Sequence, residues 1–174
     1  RLLNAEILPS LNDNGAAILR KEDYGAEERD ELAKIFKKMI YPTLTPMAVD
    51  PSHPFPVINN CAIEIAVRLK QRNSKKTLRA LVEVPSVLPR FIAISSKKKP
   101  GTKTYALLED VITEFVGELF AGCEILEAIP FRITKDMDFA IDEEGVDDLL
   151  SHIRKELLQR RTRQALRLEF MKER

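Results

Sequence analysis

The sequence predicts an α+β fold, a mostly antiparallel or mixed sheet with amphipathic helices packed on it, and three observations carry that prediction. Two segments, 26–40 and 108–120, place apolar residues at helical spacing. Several others, 61–70 and 77–84 foremost, alternate apolar and polar residues with the period of two that a half-buried strand requires. The third observation is the stretch Tyr41–Asn60, reading YPTLTPMAVDPSHPFPVINN, which holds five of the ten prolines: Pro42, Pro46, Pro51, Pro54 and Pro56. Each removes a backbone donor, fixes its own φ and pushes its predecessor toward extended geometry. The stretch is therefore excluded as a helix or central strand and expected as a stiff connector that sets how the first helix sits on the sheet.

In chain order, Leu2, Leu3, Ile7, Leu8 and Leu11 have helical spacing that Pro9 is expected to interrupt, and the segment closes in the turn-forming run Asn12, Asp13, Asn14, Gly15. Ala16–Arg20 is a short strand candidate. From 26 to 40, Leu32, Ile35, Phe36, Met39 and Ile40 form one stripe, with Glu27, Glu28, Asp30 and Glu31 in the first turns and Lys34, Lys37 and Lys38 in the last. That order complements the helix dipole at both ends, and the charges read as a solvated outer face.

After the connector, Cys61, Ile63, Ile65, Val67 and Leu69 line one face of a strand, with Glu64, Arg68 and Lys70 on the other. A polar turn at 71–76 leads into Leu78, Ala80, Val82 and Val84, so an antiparallel hairpin is expected. Pro85 and Pro89 bound a loop before a strand at 90–95; Lys97–Gly101 is a basic tip, and 103–107 returns as a strand, giving a meander. Leu108–Phe120 has the cleanest helical pattern, apolar at 108, 111, 112, 115, 116, 119 and 120, with Gly122 placed near its C-terminal cap. A strand at 124–134, acids from Asp136 to Glu144, a helix over 146–159 through Val146, Leu149, Leu150, Ile153 and Leu157, and a strand at 165–171 complete the prediction.

Composition narrows the function. At 174 residues, 44% hydrophobic, 32% charged and a net charge of +1, the chain is ordinary globular material without the field that nucleic acid or an acidic membrane would demand. No apolar run approaches the roughly 20 residues of a membrane span, so no transmembrane segment and a cytoplasmic, soluble chain are expected. Cys61 and Cys123 lack metal-site spacing and read as buried thiols in a reducing compartment. A start at Arg1, in mid-helix, reads as a fragment of a longer protein.

Five ordered segments resemble the middle, or head, domain of the long-chain polyphosphate kinases. They are the Tyr41–Asn60 run, ALVEVPSVLPRFI at 80–92, LEDVITEFVGELF at 108–120, FRITKDMDF at 131–139, and the RR…LRLEF ending from Arg160 to Phe170. The resemblance implies that residues 1–14 end a preceding N-terminal helical domain and that 15–174 form the head domain. It implies a parent enzyme that transfers the terminal phosphate of ATP reversibly to polyphosphate, through a phosphohistidine and with Mg²⁺, at motifs absent from this chain. The head domain would support dimerisation and hold the other domains in place, its partners being those domains and a second subunit of a homodimer. Lys135 departs from the pattern, standing where the family commonly has arginine; if that position makes a bidentate contact, lysine weakens it.

Read directly, the residues offer no catalytic, cofactor-binding or metal site. His53, in the proline connector, and His152, between apolar residues of the last predicted helix, do not read as a phosphorylated histidine, which would need cations and Mg²⁺ arranged around its phosphate. Gly101 after a lysine run is no phosphate loop. Asp136, Asp138, Asp142, Glu143 and Glu144 could gather a divalent cation but read as solvated, dipole-stabilising acids. Arg160, Arg161, Arg163, Arg167 and Lys97–Lys99 could meet polyphosphate, since arginine forks match phosphate oxygens, but read as surface or subunit salt bridges. Two functions follow: a non-catalytic dimerisation and accessory domain, or an independent polyanion- or protein-binding module.

Overall fold

Among the described residues, two sheets share one core with two helices. The computed structural model describes residues 2–50, 52, 54–72, 76–96, 101–136 and 165–170. A five-stranded antiparallel sheet runs in the order β2-β4-β3-β7-β8, from Pro46–Val49, Thr77–Glu83, Ile63–Gln71, Cys123–Lys135 and Ala165–Phe170. A three-stranded sheet of order β1-β6-β5 combines Ala16–Leu19, Lys103–Leu107 and Phe91–Ile94, with β1 parallel to β6 and β5 antiparallel to it. The fold is α+β, as the alternating and helical periods require. The single meander is corrected: the two hairpins lie in different sheets, because the Val84–Arg90 loop carries the chain across before β5.

Helix α2 spans Ala26–Ile35 and widens into a π-type turn over Phe36–Ile40. Its first turn is fastened by Glu28, whose Oε2 accepts the Gly25 N–H at 2.9 Å, which satisfies one of the donors a helix start leaves free. Helix α3, Leu108–Phe115, starts directly from β6 and tightens into a 3₁₀ turn at Val116–Leu119, so the predicted 108–120 helix is one regular stretch with a compact tail. Gly122 then takes φ +79°, a left-handed conformation that side chains resist. Leu32, Phe36 and Ile40 of α2, Leu108, Val111 and Ile112 of α3, and Ile65, Val67, Ala80 and Val82 of the large sheet form one buried cluster. Phe36 stacks at a tilt on Phe115, with ring centroids 5.3 Å apart.

Three local expectations change. Pro9 does not interrupt the opening helix: Leu3–Ile7 bonds with the wide π spacing, Leu8 N–H reaching Leu3 O, and Pro9 falls in the first turn of α1, Leu8–Asp13, where its missing donor costs nothing. The helix closes at Asn14 and Gly15, within the turn-forming run that the sequence marked, the latter at φ +75°. The proline connector contributes an edge strand, β2, which is where sheets tolerate proline. The charges of α2 are not all solvated. Glu28 is buried and its Oε1 accepts from Ser96 Oγ at 2.7 Å, while Glu31 accepts the Ser95 N–H at 2.9 Å, so acids of α2 tie down the end of β5.

Candidate functional site

A cleft of about 430 Å³ opens at the end of the large sheet, between the Asn59–Ile63 turn, the Glu83–Leu88 loop and the start of α3. The turn is shaped by Cys61, which takes φ +60°, unusual for any residue but glycine, and whose N–H donates to Ile133 O at 2.9 Å. Asn60 Oδ1 accepts the Lys135 N–H at 2.7 Å, and Asn59 Nδ2 donates to Glu83 Oε1 at 3.2 Å. Both asparagines thereby fasten the connector to its neighbouring strands.

The opposite wall holds Arg90. Its guanidinium meets buried Glu109 bidentately, Nε lying 3.0 Å from Oε1, and its carbonyl accepts the Leu108 N–H at 2.8 Å. One residue thus caps the start of α3 twice. The next acid, Asp110, is buried with Arg20 Nε 3.0 Å from its Oδ2, yet burial outweighs that cation and pushes its carboxyl up to about 6. Tyr24 is buried beside this pair with no hydrogen-bond partner for its hydroxyl among the described residues, and burial raises its pKa. These groups hold α3 to β1 and β5. The cleft offers amides, a carboxylate, an exposed thiol and a guanidinium already committed to Glu109, a set suited to holding a segment or a small polar group.

Of the residues singled out in the sequence, Cys61 lines the cleft and Lys135 meets its wall at Asn60. His53, His152, Asp138, Asp142, Glu143, Glu144, Arg160, Arg161, Arg163, Lys97–Lys99 and the 146–159 helix lie outside the described residues. Asp136 follows the last residue of β7, and Gly101 sits in the turn between β5 and β6 at φ +76°. Arg167 is paired with Glu169 at 2.6 Å, and Glu169 also holds Arg132 at 2.6 Å, the structural use the sequence favoured. Lys135 uses its backbone amide on Asn60. Cys61 lies exposed in the turn and Cys123 is half-buried, which corrects the expectation of two buried thiols; Cys61 precedes the strand instead of belonging to it. Sequence reasoning missed Arg90, Glu83 and Glu64, because what surrounds each is brought there by segments distant in sequence: Glu109 on α3, Asn59 in the turn before β3, and Glu83 across from Glu64. The Asn-Asn pair just before the strand was the one local signal of a tight turn.

The architecture defines the class: an α+β domain with a small mixed sheet and a larger antiparallel one around two helices. A family model described as the polyphosphate kinase middle domain matches residues 27–174, and the chain belongs to that family. It is 38% identical over 167 residues to a polyphosphate kinase of Exiguobacterium sibiricum, covering 96% of this chain and 23% of that protein. Against a polyphosphate kinase of Halalkalibacterium halodurans it is 40% identical over 171 residues, covering 98% and 24%. The crystal structure of polyphosphate kinase from Porphyromonas gingivalis superposes with a TM-score of 0.71 at 28% identity, covering 82% of this chain and 22% of that one. The chain thus spans about a quarter of the length of these relatives.

Proposed function

We propose that the chain is the non-catalytic middle domain of a polyphosphate kinase, which holds neighbouring parts of its own polypeptide and a second subunit in place. Transfer of the terminal phosphate of ATP to polyphosphate, with Mg²⁺, then takes place elsewhere in a cytoplasmic parent enzyme. The observation that carries this reading is the family match over residues 27–174 in a chain spanning 23% and 24% of two relatives. The commitment of Arg90, Arg29, Arg132 and Arg167 to internal ion pairs supports a structural role. Docking is supported by exposed apolar residues gathered in two places, Leu2, Leu3 and Ile7 on the opening helix and Leu166, Leu168 and Phe170 on the edge strand β8. The same reading puts the boundary with a preceding helical domain near Asn14 or Gly15, and the end of the opening helix there supports it.

Incubation of the chain with ATP and Mg²⁺ tests the first half: neither polyphosphate nor an acid-labile phosphoenzyme should form, and phosphate on His53 or His152 would overturn it. Sedimentation across a concentration series tests the second: a two-fold dimer is expected, and a strict monomer at high micromolar concentration would remove dimerisation from the reading. Calorimetric titration with polyphosphate at two salt concentrations separates a polyanion-binding module, whose affinity would fall steeply with salt.

A further inference from the structure

Strands β3 and β4 set two carboxylates face to face. Glu64 and Glu83 are direct partners across the antiparallel pair, so their side chains leave the sheet on the same side. Glu64 is fully buried, and neither of its carboxylate oxygens has a hydrogen-bond partner among the described residues. Glu83 is half-buried at the rim of the cleft, where it accepts from Asn59. Among the described residues, no ion pair reaches either acid. Opposite Glu64 on β7 is Phe131, with Ile129 and Ile133 on the same face; the next residues on that face are Ala66 of β3 and Leu81 of β4. Arg68 and Arg79 come two rungs further along, and Arg68 is held by Glu127 at 3.1 Å. Among the described residues of the connector, the neutral Asn59 and Asn60 reach these strands, on Glu83 and the Lys135 amide.

Like charges directly opposite on a sheet repel, and a sealed carboxylate with no donor has lost its hydration without replacement. Both acids cannot be ionised together in the closed arrangement. One protonated carboxyl removes the conflict, since a single negative charge then remains between the two. We propose that Glu64 and Glu83 share one proton across the β3–β4 pair, and that this proton fastens the Asn59–Ile63 turn at the mouth of the cleft, making the turn a pH-sensitive joint.

Burial, with the Glu83 charge second, pushes Glu64 up to about 7 from an ordinary value of 4.5. The closed turn therefore keeps a proton that the opened turn has lost. Closure is fully favoured below the ordinary value, weakens as pH rises toward the raised one, and is constant above it.

Hydrogen exchange at Cys61 and Val84 reads the joint, because their N–H groups donate to Ile133 O and Ile63 O, each at 2.9 Å. Corrected for intrinsic rates, protection should fall by up to about tenfold per pH unit between about pH 5 and about pH 7. Glu64→Gln should hold protection constant over that interval, and Glu83→Gln should lower the titration midpoint of the Glu64 carboxyl carbon. A Glu64 carboxyl titrating in the ordinary range in the unaltered chain overturns the proposal without any variant having to fold. A pH dependence that survives Glu64→Gln also overturns it, and so does one abolished by millimolar Mg²⁺, which would put a cation where the proton is placed.

Discussion

The two faces of the five-stranded sheet obey different rules. On the helix-facing side, Ile65, Val67, Leu69, Ala80 and Val82 are buried against α2 and α3, and the acids nearest that core, Glu28 and Glu109, have partners. On the other side Leu168 and Phe170 stand 58% and 60% exposed while a carboxylate, Glu64, is fully covered. Strand alternation fixes the side toward which a residue points, not what covers that side. One face is therefore a core in the energetic sense, and the other is a mixture of sealed and open patches.

The largest effect that tests this contrast comes from Phe36→Ala. Phe36 is fully buried, touches Phe115 and meets Tyr41 edge-on at 6.0 Å, so its removal should cost about 3–5 kcal/mol in a urea denaturation series. A loss under about 1 kcal/mol would mean that α2 does not anchor the shared core.

Next come two arginines with the same kind of bond and different surroundings. Arg90→Ala leaves Glu109, 5% exposed, without its counter-ion and should cost about 1–3 kcal/mol. Arg68→Ala breaks a pair whose side chains are 52% and 46% exposed, and the change should stay within about 0.5 kcal/mol. Equal losses in thermal or denaturant unfolding would erase the distinction between the two faces.

These tests also mark what the sequence discloses. Helices α2 and α3 and the β3–β4 hairpin were legible because each repeats its period for two turns or more, and repetition is a local property. The split into two sheets was not: β1 pairs in parallel with β6, eighty-odd residues away, and no local pattern names such a partner. Pro9 was misread because the wide turn before it absorbs the missing donor. Glu64 sits at a polar position of the alternation, which reads as solvated, and only the folded neighbourhood shows it sealed. The cleft was half visible, since Asn59–Asn60 announces a turn, whereas Arg90 and Glu109 meet through a strand return that spacing alone does not reveal.

A smaller effect is carried by pH at α3. The Asp110 carboxyl is raised from 3.8 to about 6, chiefly by burial, so the folded chain retains a proton that the unfolded chain has released. The sign follows: this contribution is fully present below the ordinary value and is lost as pH rises toward the raised one. The slope is at most about 1.4 kcal/mol per pH unit. Asp110→Asn should flatten that part of the stability profile, measured as denaturation midpoints at closely spaced pH values. An unchanged slope would show Asp110 ionised throughout and held by Arg20 alone, which would make the helix-facing side tolerant of buried charge.

The smallest change in stability is expected at the open edge. Leu168 and Phe170 lie on the same face of β8 as Ile133 and Phe131 of β7, their register partners, and both remain more than half exposed. Little apolar area is withdrawn from water there, so Leu168→Ser with Phe170→Ser should shift folding stability by no more than about 1 kcal/mol. Association should respond more strongly, because an edge strand with an exposed apolar face is a ready contact for another surface. If the chain pairs through β8, sedimentation of the double variant should show weaker self-association at unchanged stability. If serines at Leu2, Leu3 and Ile7 weaken it instead, the contact is the opening helix. A stability loss above about 2 kcal/mol in the β8 variant would mean that this face is already covered within the chain, and the contrast between the two faces would fail.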